Sequence, residues 1–100
     1  MPIKTVYAPW VAYLIREERM AGFAKSEAEI GERASRFLKA ELKRADVTYA
    51  GLAERLAKHG LKSETVPSIK SKLARGTFAA TFLLASLAAL ELDGVRLEDI

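Results

Sequence analysis

Apolar residues in this chain recur every three or four positions, which predicts helices rather than strands over most of its length. Residues 9 to about 21 form the first, with Trp10, Val11, Leu14 and Ile15 as its apolar stripe, Pro9 in its opening turn and Gly22 at its end. The second runs from Ser26 to about Ala45, with Ile30, Ala34, Phe37, Leu38, Leu42 and Ala45 at helical spacing. Ser26 and Glu29 are set as a capping box, each side chain taking the other's unbonded backbone N–H. Asp46 and Val47 make a corner. Thr48 then caps a third helix over residues 49–59, where Val47 and Leu52 occupy the positions of a hydrophobic staple and Leu52, Ala53 and Leu56 face inward. Gly60 supplies the left-handed residue that stops this helix, and Leu61, Lys62 and Ser63 complete a short turn. A fourth helix begins between Ser63 and Pro67, with Pro67 in its first turn, and stops at Gly76. Thr77 is placed to cap a fifth, over residues 77–90.

That last helix is apolar on almost every side, with Phe78, Phe82, Leu83, Leu84, Leu87, Leu90 and five intervening alanines. A helix of this kind has to be covered all round, by the Trp10 helix or by a second copy of the protein. It is well short of the roughly 20 apolar residues that span a bilayer. After Asp93 and Gly94, a turn pair, V-R-L-E-D-I alternates apolar and polar, which predicts a short C-terminal β-strand pairing across a dimer. The fold expected is therefore all-α. About five helices surround a helix-turn-helix core (residues 26–90), with an N-terminal helix extension (1–24) and a tail or strand (91–100), all in one domain.

One hundred residues suit a single domain. The chain has no cysteine, which removes disulfides and cysteine-based metal or nucleophile sites, and no signal pattern opens it. A soluble, cytoplasmic protein is expected. The net charge of +3 is modest, but residues 33–75 carry eleven Lys and Arg against four acids. The flanks, by contrast, lean acidic. A basic centre between acidic flanks is what a nucleic-acid footprint produces, although solvated helix faces also cluster charge.

On the fourth helix Val66, Ile69 and Leu73 share one side. Ser68, Ser71 and Arg75 project from the other, with Lys72 on one flank and Lys70 on the opposite flank. Such a helix can pack on its neighbour while showing hydrogen-bonding groups to the major groove of double-stranded DNA. There Arg75 would read guanine, the serines bases or phosphates, and the lysines phosphates. Thr48 and Tyr49 open the preceding helix, where unbonded N–H groups favour a phosphate, and capping is the alternative for Thr48. Lys39, Lys43 and Arg44 would extend the basic surface. His59 stands alone, without a second histidine or a cysteine, so no metal or cofactor site is expected. Glu17-Glu18 and Glu98-Asp99 are sequence neighbours that do not share a helix face. Enzymatic activity and a small-molecule substrate are therefore not expected.

The run F-L-K-A-E-L-K-R-A-D-V-T-Y-A-G-L-A-E-R-L, followed by S-I-K-S-K-L-A-R-G-T-F-A-A-T-F-L-L, resembles a bacterial family of short proteins known as domain of unknown function 6471. The shared pattern joins T-Y-x-x-L-A to K-L-x-R-G-x-F and implies a small helical protein without an assigned activity. More distantly, T-Y-x-x-L-A and the later I-x-x-x-L-x-R-G are similar to lambda-repressor-like, or XRE-type, helix-turn-helix domains, which bind operator DNA as dimers. That resemblance implies a recognition helix containing Lys70, Ser71, Lys72 and Arg75. Two departures are a longer span from Ala53 to Ile69 and the proline at the start of the recognition segment. The function expected is that of a homodimeric, DNA-binding transcriptional regulator. The alternative is a protein-interaction module or antitoxin-like adaptor without DNA binding.

Overall fold

A computed structural model describes residues 22–100. Four α-helices follow in order: α1 (Glu27–Ala45), α2 (Tyr49–Lys58), α3 (Val66–Arg75) and α4 (Ala80–Ala89). A 3-10 turn at Leu97–Asp99 closes the chain. The described residues are all-helical. The expected Trp10 helix lies outside them.

Helix α1 starts where Ser26 accepts a hydrogen bond from the Glu29 N–H at 3.1 Å. The Glu29 carboxylate does not reach the Ser26 N–H, as a reciprocal box requires. It accepts from Lys25 N–H instead, at 3.0 Å, one residue earlier. Acids in the first turn and Lys43 and Arg44 in the last suit the helix dipole. The corner after α1 is made by Asp46, whose left-handed φ of 58° lets Val47 N–H bond back to the Leu42 carbonyl at 2.9 Å.

Thr48 caps α2, and Gly60, with φ 96°, allows Leu61 N–H to bond to Leu56. The connection over residues 59–65 is longer than the short turn expected, with Thr65 capping α3 inside the expected range of Ser63 to Pro67. The helix itself opens at Val66 with Pro67 behind it.

Two expectations fail after α3. Helix α4 begins at Ala80, not Thr77, and its cap residue Ala79 offers no side-chain bond. The Thr77 hydroxyl and carbonyl are both held by Arg75, and Phe78 is drawn into edge-on contact with Phe82 at 5.3 Å. The chain can therefore turn helical only beyond them. The C-terminal strand is also not formed. Ile100 and Asp99 direct their N–H groups to carbonyls of Leu97 and Arg96, and Arg33 binds the Ile100 carbonyl, so the tail folds back on α1. With no strand edge presented, pairing of tails across a dimer loses its basis.

The core draws on every helix: Leu38 and Leu42, Leu52 and Leu56, Ile69 and Leu73, then Phe82, Ala89 and Leu90. Leu38, Leu52, Leu56 and Ile69 are fully buried, each contributing roughly 1.5–3 kcal/mol over exposure. Helix α2 packs on both α3 and α4, and α1 packs on α3. The α1–α3 approach is close because neither backbone carries a side chain where they meet. A Cβ on Gly31 would lie 2.2 Å from the Gly76 carbonyl oxygen, while Gly76 itself, at φ 75°, ends α3 in the left-handed conformation. Helix α4 leaves part of its apolar surface uncovered by described residues. Leu84 is 63% exposed, beside half-buried Leu83 and Leu87. Among the described residues, no helix is long and apolar enough to cross a membrane.

Candidate nucleic-acid interface

Helix α3 opens on a reciprocal box. Thr65 Oγ1 accepts from Ser68 N–H at 3.2 Å, and Ser68 Oγ accepts from Thr65 N–H at 2.8 Å. Ser68 Oγ also donates to Glu64 Oε1 at 2.7 Å. Lys72, one turn further on, places its ammonium 3.1 Å from the same carboxylate and 5.6 Å from the centre of the Phe82 ring. Ser68 and Lys72 are both half-buried in this clasp. Ile69 and Leu73 anchor the helix beneath it, so what remains outward is Pro67 in the first turn and then Lys70, Ser71, Ala74 and Arg75.

Arg75 is held in place by its neighbours. Nη1 donates to Ser71 Oγ at 2.9 Å, and Nε and Nη2 reach the Thr77 hydroxyl and carbonyl at 3.4 and 3.2 Å. A guanidinium fixed in this way keeps unused N–H donors while losing less freedom on meeting an anion. Lys70 is exposed, and neither a hydrogen bond nor an ion pair links it to another described residue.

The remaining sequence candidates divide. Thr48 Oγ1 caps α2, accepting from Gly51 N–H at 3.0 Å, and Tyr49 is half-buried against the core. Arg44 pairs with Glu41 at 2.6 Å on the side of α1 where Leu92, Val95 and Arg96 pass. Lys43 is exposed. With Arg36 and Lys39 it falls on one stripe of α1, at spacings of three and four residues. Arg36 was missed as a site candidate although that spacing marks it. Two further members of the basic centre serve the fold. Arg33 binds the Phe23 and Ile100 carbonyls and lies over the Phe23 ring, while Arg55 Nη1 bonds to the Ala89 carbonyl at 3.0 Å.

Arg36 and Lys39 line a groove of about 450 Å³ between α1 and the C-terminal end of α3, together with Glu32, Ser35, Leu73 and Arg75. Arg75 thus belongs both to the outward face of α3 and to this groove. The family model described as Domain of unknown function (DUF6471) matches residues 31–95. The chain belongs to this family. No curated protein and no solved structure matches it. The DUF6471 span opens on Gly31, so it takes in both glycines of the α1–α3 contact, the clasp and all of the groove but Ala28, and leaves out the Ser26 cap. The family's description assigns no activity.

Proposed function

We propose that this protein binds double-stranded DNA through α3 and acts as a bacterial transcriptional regulator, working as a homodimer in the cytoplasm. The observation that carries the reading is the division of α3. Ile69 and Leu73 are buried against the domain, while Lys70, Ser71 and Arg75 stand outward on a helix that follows α2 in helix-turn-helix order. The similarity of T-Y-x-x-L-A and I-x-x-x-L-x-R-G to XRE-type domains supports the same assignment. In this proposal Arg75 reads a base edge or a phosphate, Ser71 adjusts to either, and Lys70 and Lys43 hold phosphates. Ser68, Lys72, Thr48 and Tyr49 support the helices that present them, and Arg44 stays with Glu41. No catalytic group or cofactor is assigned.

Fluorescence anisotropy of random-sequence duplex DNA at two salt concentrations tests the proposal. Lys70→Ala/Arg75→Ala should weaken binding strongly and lower its salt dependence, whereas Lys72→Ala should retain most of both. Binding unchanged by the double substitution would remove α3 from the interface. A second reading, a protein-interaction module, is favoured by the exposed Leu84 with Leu83 and Leu87 at its side. It gains if native protein passes DNA and heparin at low salt yet self-associates or captures a partner through that face.

A further inference from the structure

We propose that the groove between α1 and the end of α3 is a phosphate-binding site, seated by Arg36 and Lys39 of α1 with Arg75 of α3. The inference rests on the DNA-binding reading only for the source of the phosphate. Two observations converge on it. Arg36 and Lys39 line the groove and form no ion pair with another described residue, so their charge faces solvent and the cleft. Arg75 enters from the other helix, already oriented by Ser71 and Thr77. The Ser35 hydroxyl is sealed from solvent, beyond the reach of a ligand in the groove, and takes no part.

Glu32 lines the groove as well, so the site sets three cations against one carboxylate. That balance favours a phosphodiester or monoester over a neutral ligand. The Gly31–Gly76 contact brings the two walls together, since any side chain at Gly31 would push α1 away from α3.

Two titrations test the site and separate its sources. In the first, inorganic phosphate is added to 15N-labelled protein. Saturable shifts are expected at the amides of Ser35, Arg36 and Gly76, and they should vanish in Arg36→Ala/Lys39→Ala. In the second, the salt dependence of duplex DNA binding is compared among the native protein, that double variant, and Lys58→Ala/Lys62→Ala as a control of equal charge outside the groove. If a DNA strand supplies the phosphate, the groove double variant should lower the slope of log K against log salt by about 0.9 for each phosphate it no longer neutralises, and the control should not.

A phosphate response without any effect on DNA, or in a protein that binds no DNA, keeps the site. It then assigns the site to a free phosphate compound, and the DNA reading fails alone. A DNA effect confined to the groove variants, with or without a response to inorganic phosphate, assigns the strand. Absence of a phosphate response together with equal slopes in the groove variant and the control overturns the inference.

Discussion

The clasp around Glu64 and the groove at the other end of α3 are both built from polar side chains at the helix surface, yet they differ in closure. In the clasp, Ser68 and Lys72 both engage the Glu64 carboxylate, and Thr65 and Ser68 satisfy each other's backbone N–H groups. In the groove, Arg36 and Lys39 form no ion pair with another described residue. A closed set of hydrogen bonds stabilises a fold, whereas an open set of like charges costs stability unless a ligand offsets it. The same division runs through the basic centre. Arg33, Arg44, Arg55 and Lys72 are bound to carbonyls or carboxylates, while Arg36, Lys39, Lys43 and Lys70 face outward.

The largest effect expected is from Gly31→Ala, which drives a Cβ into the Gly76 carbonyl and forces α1 and α3 apart. A loss of about 1–3 kcal/mol or more in chemical denaturation should accompany a distorted groove. Glu64→Ala should cost roughly 1–3 kcal/mol, because it leaves a half-buried Lys72 and the Ser68 hydroxyl without their acceptor. DNA affinity per folded molecule should change little, and a large specific loss would make the clasp part of the interface. Smaller still, Arg36→Ala/Lys39→Ala should leave unfolding free energy within about 0.5 kcal/mol while changing anion binding. Ser35→Ala should have the smallest effect. No hydrogen bond is removed within the protein, so stability should hold or rise slightly, with anion affinity unchanged. Measured destabilisation of more than about 1 kcal/mol would mean that Ser35 is bonded in solution, and the groove would then resemble the clasp.

Much of this fold was legible because local chemistry and global packing agree. Ser26 and Thr48 cap the helices that their positions mark, Gly60 and Gly76 stop theirs, and Leu38, Leu42, Leu52, Leu56, Ile69 and Leu73 line the core as their spacing indicates. Thr77 misled because a hydroxyl before an apolar run looks like a cap, and nothing local shows that Arg75 has taken it. The alternation of V-R-L-E-D-I looks like a strand. Strands need an edge to pair with, and here the tail meets α1 and the Arg33 guanidinium instead.

The candidate site was legible in outline, as the outward face of α3, but its allocation was not. Lys72 reaches Glu64 eight residues back, across the Thr65 cap, rather than at the three- or four-residue spacing of an ordinary helix pair, so Lys72 read as a phosphate contact. The groove was invisible for a similar reason. Gly31 looks like an ordinary small residue within α1, and only the approach of Gly76 from a distant part of the chain gives it a role.

The most direct test of the central claim is a map of amide chemical-shift changes as duplex DNA is added to 15N-labelled protein at low salt. The account expects the largest changes at Lys70, Ser71 and Arg75, continuing to Arg36 and Lys39, with Glu64 and the α4 face at Leu83, Leu84 and Leu87 nearly still. Changes centred on Leu83, Leu84 and Leu87, or none at any DNA concentration, would contradict it.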